Sequence, residues 1–296
     1  MCQRMPVNRF PDWESFRFPA DAASSDHGGA DQGGADQLGA DQGGASSGGQ
    51  PVAFCADLSP ESVLGAYRRG IVPIPAASEF IRTRNEVKYE DDVAAGAIAI
   101  VGEADDPYWV AWWSPEPRLV INGDGVHLGR NVRKRLRRDG LVTTADTAFS
   151  RVAEECRAGR QPRWLTDPLL GSLIELHAAG WAHSIEVWLG DDLVGGALGI
   201  GIGEVLSGDS LFGRHPGAAA IAVADMWARL TAAGGKDIDA QWDTPFLRSL
   251  GAAPVAREDY LAVLGHSAAP VPLPREALPA RRLLPAQPRA GRGAQP

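Results

Sequence analysis

Cysteine is scarce. Cys2, Cys55 and Cys156 are the only three in 296 residues, and no two stand at the spacing of a zinc clip or a disulfide framework. Long apolar runs are missing as well. The opening stretch MCQRMPVNRFPDWESFRFP holds nothing long enough for a signal peptide, and no later segment stays apolar for the roughly 20 residues that a bilayer requires. A soluble cytoplasmic protein with no membrane contact is the expectation. Positive charge is in deficit: 29 Lys and Arg against 37 Asp and Glu leave a net charge of −8. That excludes wholesale coating of nucleic acid but leaves room for a local basic patch. The six histidines show no metal-ligand spacing, so no metal site is expected.

What is present suffices for a sizeable core, since 44% of the residues are hydrophobic. Residues 1–23 form an N-terminal segment whose aromatic residues between Phe10 and Pro19 can dock onto the folded part. Residues 24–50, with GGADQ, GGADQ and LGADQ in succession, offer too little apolar surface to offset ordering and read as a disordered linker. A small N-terminal domain is expected over 51–125, interrupted by a polar insertion at 78–107. A catalytic domain is expected over 126–265. Residues 266–296, rich in Pro, Ala and Arg, read as a disordered tail.

Within LSPESVLGAYRRG, Ser59 can cap a helix that starts at Pro60, with Glu61 in its first turn. Asp167 to Ala179 reads as a helix stopped by Gly180. HSIEVW (183–188), LVGGALGI (193–200) and EVLSGDSLF (204–212) are strand-like runs joined by short glycine turns. Gly217 to Ala233 is an alanine-rich helix, IDAQW (238–242) a buried strand, and Pro245 to Leu250 a short helix. Antiparallel strands followed by a helix and a further strand give an α+β fold.

Six of the nine residues in RNVRKRLRR (130–138) are basic: Arg130, Arg133, Lys134, Arg135, Arg137 and Arg138. On a helix, Arg130, Lys134, Arg137 and Arg138 fall on one side, either to meet phosphates or as a solvated face. Asp239 and Gln241 stand two apart on an apolar strand, so both leave the same face. The amide can aim an attacking amine and the carboxylate can favour the charge that develops on nitrogen; the bland alternative is that both satisfy loop backbone groups. Asp209 in SGDSLF is a further carboxylate beside apolar residues. Trp164 can offer its face to a base. A rival motif is Arg214-His-Pro-Gly217-Ala-Ala219, which fits the R-x-x-G-x-A loop that cradles the pyrophosphate of acyl-CoA.

Taken together, DLSPESVLGAYRRGI, WWSPEPR, RNVRKRLRR, RWLT, WAHSIEVW, LVGG, SGDSLFGR, IDAQ and SLGA resemble the leucyl/phenylalanyl-tRNA–protein transferase family from Leu58 to about Leu264. The resemblance implies a GCN5-related acyltransferase-like C-terminal domain, an antiparallel or mixed sheet with flanking helices, behind a smaller N-terminal domain. It implies transfer of Leu or Phe, with Met as a slower donor, from aminoacyl-tRNA to the N-terminal Arg or Lys of an acceptor protein in an N-degron pathway. The ester is already activated, so no ATP, metal or CoA is needed, and a monomer is expected.

By the same resemblance Asp239 and Gln241 match the family's catalytic pair, and Asp209 falls where the family has a glutamate. Trp164 matches a tryptophan associated with the terminal adenosine, and the six basic residues match the cluster that holds the acceptor stem. Leu206, Leu211, Met226 and Ile238 are implied to line the donor pocket, and Tyr67 to stand between the domains. Val72-Pro73-Ile74 replaces the family's F-P-W and removes one stacking ring. Other readings remain open at this point: aminoacylation of a small amine, a CoA-dependent N-acyltransferase, and an RNA-binding module without turnover.

Overall fold

The helix announced by Ser59-Pro60 runs from Pro60 to Tyr67, and the Ser59 hydroxyl accepts from the Ser62 N–H at 3.3 Å. The computed structural model describes residues 11–18, 49–158, 163–265 and 269–285. Along them come β1 (Ala53–Phe54), α1 (Pro60–Tyr67), β2 (Val72–Pro75), α2 (Glu79–Ala94), β3 (Ala99–Ile100), β4 (Val110–Trp113) and β5 (Arg118–Ile121). Then follow α3 (Arg130–Arg138), β6 (Val142–Ala145), α4 (Phe149–Arg157), α5 (Asp167–Ala178), β7 (Ala182–Leu189), β8 (Asp192–Ile202) and β9 (Val205–Gly213). The last elements are α6 (Ala218–Ala232), β10 (Asp237–Gln241), α7 (Pro245–Ser249), β11 (Ala253–Val255), α8 (Arg257–Leu264) and β12 (Leu278–Pro279).

The fold is mixed α+β, built on two sheets. The smaller has the order β2-β4-β1-β3; the larger runs β11-β5-β10-β9-β8-β7-β6-β12 and is antiparallel except where β10 lies beside β9. Strand alternation gives the larger sheet two different faces. One face carries Leu119, Ile121, Leu206 and Ile238 and is covered by α6, by Leu136 of α3 and by Val271, Leu273 and Ala280. The other face carries Val120 and Val205 and meets α1, α4, α5 and α8. Residues 11–18 dock as their aromatic content suggests. Trp13 is buried, its indole N–H donates to the Ser62 hydroxyl at 3.0 Å, and its ring lies 4.8 Å from that of Trp112.

Three expectations about organisation need correcting. Residues 118–121 were expected in the small domain, yet β5 pairs with β10 and β11 inside the larger sheet. The polar insertion at 78–107 contains α2, a 16-residue helix capped by Ser78, with Tyr89 buried and its ring 5.8 Å from that of Phe54. Its apolar face is narrow, which hid it from a hydropathy reading. Residues 269–285, expected to be disordered, lie along the larger sheet. Buried Arg229 donates to the carbonyls of Pro274 and Glu276, and β12 pairs with β6. A proline-rich chain has few amides for ladder bonds, so here side-chain donors hold it instead. The expected linker at 24–50 lies outside the described residues except for 49 and 50, as do residues 1–10, 19–23, 266–268 and 286–296.

This docking is testable by truncation. A chain ending at Gly265 uncovers the site of Val271 and Leu273 and is expected to lose about 3 kcal/mol or more of unfolding free energy. Urea denaturation against a chain ending at Pro285 measures the difference; coincident curves would return the segment to the disordered reading.

Candidate active site

Arg118 opens β5 and Asp239 sits in the middle of neighbouring β10, both fully buried. Their side chains meet edge on: Nε lies 2.9 Å from Oδ1 and Nη2 lies 2.8 Å from Oδ2. The remaining guanidinium nitrogen, Nη1, donates to the Gly70 carbonyl at 2.6 Å, just past α1. Tyr260 of α8 lies under the guanidinium at 4.3 Å and donates its hydroxyl to Asp239 Oδ2 at 3.0 Å. Burial works against the charge of Arg118, but the Asp239 carboxylate overrides it and holds the guanidinium above its ordinary value. One more donor reaches Asp239, the Gln241 N–H at 2.8 Å, and the Ser207 hydroxyl lies 3.4 Å from Oδ2. A carboxylate offers about four lone-pair sites. Arg118, Tyr260 and Gln241 engage both oxygens of Asp239, which leaves it poorly suited to the expected part in handling a substrate proton.

Gln241 reaches the same place by an unexpected route. The β10–β5 register pairs Asp239 with Val120 and Gln241 with Leu119, so an extra residue bulges between them. Gln241 sits at φ +61, a left-handed conformation that costs an L-residue about 1–2 kcal/mol. Its N–H bond to Asp239 Oδ1 secures that turn. The side-chain Nε2 then donates to the Ser207 hydroxyl at 2.9 Å and to Asp209 Oδ1 at 2.7 Å.

Asp209 is the least satisfied carboxyl group here. Oδ1 accepts from Gln241 and from the Ser207 hydroxyl at 3.0 Å, whereas Oδ2 is buried with no hydrogen-bond partner among the described residues. Burial pushes its pKa up to about 7, against the pull of the Ser207 hydrogen bond. Tyr67 of α1 stands beside it, and burial, then the Asp209 charge, raises the phenol well above its usual value. A buried acid poised near neutrality beside an oriented amide is the arrangement that general acid–base chemistry needs.

The backbone opens at the same place. β9 and β10 pair in parallel from Val205/Asp237 to Ser207/Asp239 and then separate, while β9 runs on to Gly213. Asp209 and Gln241 flank that divergence. Across from it, β8 shifts register between Leu198 and Gly199. A Cβ on Gly199 would lie 1.7 Å from the Ser207 carbonyl oxygen, so only glycine lets β9 approach and set Ser207 in place.

Residues 120–265 match the family model described as leucyl/phenylalanyl-tRNA protein transferase. A leucyl/phenylalanyl-tRNA–protein transferase of Saccharophagus degradans is 34% identical over 219 residues, 73% of this chain and 78% of the relative. The chain belongs to that family. The transferase of Azoarcus sp. is 37% identical over 210 residues, 70% of this chain and 77% of the relative. That of Chromohalobacter salexigens is 41% identical over 158 residues, 52% and 62% of the two chains. This protein is accordingly a transferase enzyme.

In this family member the other expected site residues fall in several places. Leu206 and Ile238, on the sheet face opposite Ser207 and Asp239, are buried against Met226 of α6; Leu211 is half-buried at the margin of that cluster. Strand alternation sends Leu206 and Ile238 away from the acids. Trp164 was expected to present a face to a base. It is instead 6% exposed within the core shared by α1, α4 and α5. The basic helix does form as α3, anchored by Leu136 and Val132. Arg130, Lys134, Arg137 and Arg138 are exposed, Arg133 and Arg135 partly so, and among the described ion pairs only Arg135 has a carboxylate, Asp139 at 3.4 Å. The CoA-like loop is largely occupied: the N–H groups of Arg214 and His215 donate to the Val194 carbonyl, that of Ala218 to His215, and the Arg214 guanidinium pairs with Glu155.

Sequence reasoning left Arg118, Ser207 and Tyr260 without a role. Arg118 carried a usable signal: a basic residue opening the apolar strand RLVI must find a carboxylate, and Asp239 stands on another apolar strand. Two carboxamide substitutions should separate the acids. Asp239→Asn leaves Arg118 buried without its counter-charge and is expected to cost about 3–5 kcal/mol of stability. Asp209→Asn should behave in the opposite way. With its folded-state value near 7 against an ordinary 3.8, Asp209 binds a proton that the unfolded chain releases, so stability falls as pH rises from about 4 to about 7. Urea midpoints should show that decline in the wild type and a flatter profile in Asp209→Asn; identical profiles would remove Asp209 from this role.

Proposed function

We propose that this enzyme transfers a leucyl or phenylalanyl group, and methionyl more slowly, from aminoacyl-tRNA to the N-terminal Arg or Lys amine of an acceptor protein. That product belongs to an N-degron pathway, and the enzyme acts as a cytoplasmic monomer without ATP, metal or CoA. The observation that carries the reading is Asp209, poised near pH 7 with one unpartnered buried oxygen beside the oriented Gln241 amide. In the reaction, the Gln241 carbonyl oxygen accepts from the acceptor amine and aims its lone pair at the ester carbonyl. The nitrogen–carbon bond forms, and Asp209 takes the proton that the nitrogen sheds. The bond from carbon to the ribose oxygen then breaks, and Asp209 returns the proton to that oxygen, regenerating itself. Asp239 serves by fixing Gln241 in its left-handed turn and belongs to positioning rather than to proton transfer.

The divergence of the parallel β9–β10 pair supports the GCN5-related acyltransferase type for the catalytic part. The occupied amides of the Arg214–Ala218 loop weigh against acyl-CoA as the donor. Tyr67, from the smaller sheet's helix, closes the acid site from the other side, and Leu211 at the cluster margin is the member of the apolar group best placed to meet a donor side chain. The exposed side of α3 supplies the phosphate contacts.

Purified protein, a mixture of charged tRNAs and an Arg-initiated peptide, with products read by mass spectrometry, test the reaction. Leucyl- and phenylalanyl-peptide are expected; acetyl transfer from acetyl-CoA in its place would sink the reading. Arg133→Ala with Lys134→Ala should raise KM for charged tRNA without changing acceptor affinity. The double substitution should also flatten the dependence of log affinity on log salt by about 0.7–0.9 for each phosphate no longer neutralised. An unaltered slope would make α3 a merely solvated face.

A further inference from the structure

We infer that the Ser207 hydroxyl is a two-position donor linking the protonation of Asp209 to the Arg118–Asp239 ion pair, and is thus a positioning residue for proton transfer. The inference rests on the reaction proposed above. Ser207 is buried, so water does not compete for its hydroxyl. Three polar atoms surround the oxygen: Gln241 Nε2 at 2.9 Å, Asp209 Oδ1 at 3.0 Å and Asp239 Oδ2 at 3.4 Å. The amide nitrogen can only donate, so Ser207 accepts there. Its single proton must go to one carboxylate or the other.

The shorter distance assigns that proton to Asp209 while Asp209 is charged, because a hydrogen bond to an ionised acceptor is the stronger one. Once Asp209 has taken a proton from substrate, its Oδ1 becomes the poorer acceptor. A rotation about the Ser207 Cβ–Oγ bond then hands the hydroxyl proton to Asp239 Oδ2. No heavy atom moves and Gln241 keeps its two donations. The hydroxyl therefore favours charged Asp209 before the transfer and releases it afterwards. Of the contacts opposing burial, the Ser207 bond acts most strongly on the Asp209 carboxyl, ahead of Tyr67 and Gln241. The other titratable or charged groups around this carboxyl are Tyr67 from α1, Asp239 from β10 and Tyr260 from α8, with Arg118 of β5 behind Asp239.

The test compares Ser207→Ala, which removes the rotor, with Ser207→Thr, which keeps a hydroxyl on a β-branched side chain suited to a strand. In Ser207→Ala the acid limb of the kcat profile should move up by about one pH unit. The rate at pH 7 should fall about fivefold and recover by pH 9, with KM for charged tRNA unchanged. Ser207→Thr should keep the limb where the wild type has it. A second arm needs no substrate: the Asp209 carboxyl signal, followed by 13C NMR across pH and assigned with Asp209→Asn, should titrate later in Ser207→Ala. An unshifted Asp209 titration in folded Ser207→Ala overturns the inference, as does a rate loss equal at every pH. Failure of the wild type to transfer from any charged tRNA overturns the proposed reaction instead, and the NMR arm then still decides the Asp209–Ser207 coupling.

Discussion

A guanidinium and a carboxylate, both sealed from water, join the two halves of this enzyme. Arg118 spends one nitrogen on the Gly70 carbonyl beside the smaller sheet and the other two on Asp239 in the larger one. A buried ion pair is a poor source of net stability, since desolvation offsets most of its attraction. Its value here is geometric. Once Arg118 is fixed, α1 has a defined height above β10, and Tyr67 is held at the acid cluster. Asp239, saturated by Arg118 and Tyr260, can in turn hold Gln241 in a backbone conformation that an isolated strand would reject. Strain at Gln241 is thereby set against an interaction some distance from the reacting atoms.

The larger sheet separates its tasks by face. On the side of α6 the residues are apolar and closely packed, and Gly195 brings β8 so near that helix that a Cβ there would lie 2.6 Å from the Ala218 side chain. On the other side Ser207, Asp209, Asp239 and Gln241 form one connected set of hydrogen bonds. The seam between the faces is where β9 and β10 part, and in the reaction proposed above an ester held there places its side chain toward the apolar layer and its carbonyl toward the acids.

Much of this was legible from residue order. Strand-like runs between glycine turns in HSIEVW and LVGGALGI, with the apolar IDAQ, located three strands of the larger sheet, Ser59-Pro60 located a helix start, and the charge density of RNVRKRLRR located α3. What stayed hidden depended on partners distant in sequence. The tail from Val271 is ordered by Arg229, far earlier in the chain, and no local propensity records that bond. Trp164 looked available because its neighbours are polar, but α1 and α5 close over it. The bulge at Ala240 leaves no composition signal, yet it decides where the Gln241 amide points.

The outer strands of both sheets share one more property. The larger sheet ends on β11, which contains Pro254, and on β12, which ends in Pro279; the smaller ends on β2, with Pro73 and Pro75, and on the two-residue β3. Proline has no amide hydrogen to offer a neighbouring strand, and two residues make too short a template to extend. Among the described residues, both margins of each sheet are therefore blunted. For the transfer to an N-terminal amine proposed above, that keeps an incoming peptide from being captured lengthwise as an additional strand, and it leaves the amine at the tip as the part to be recognised.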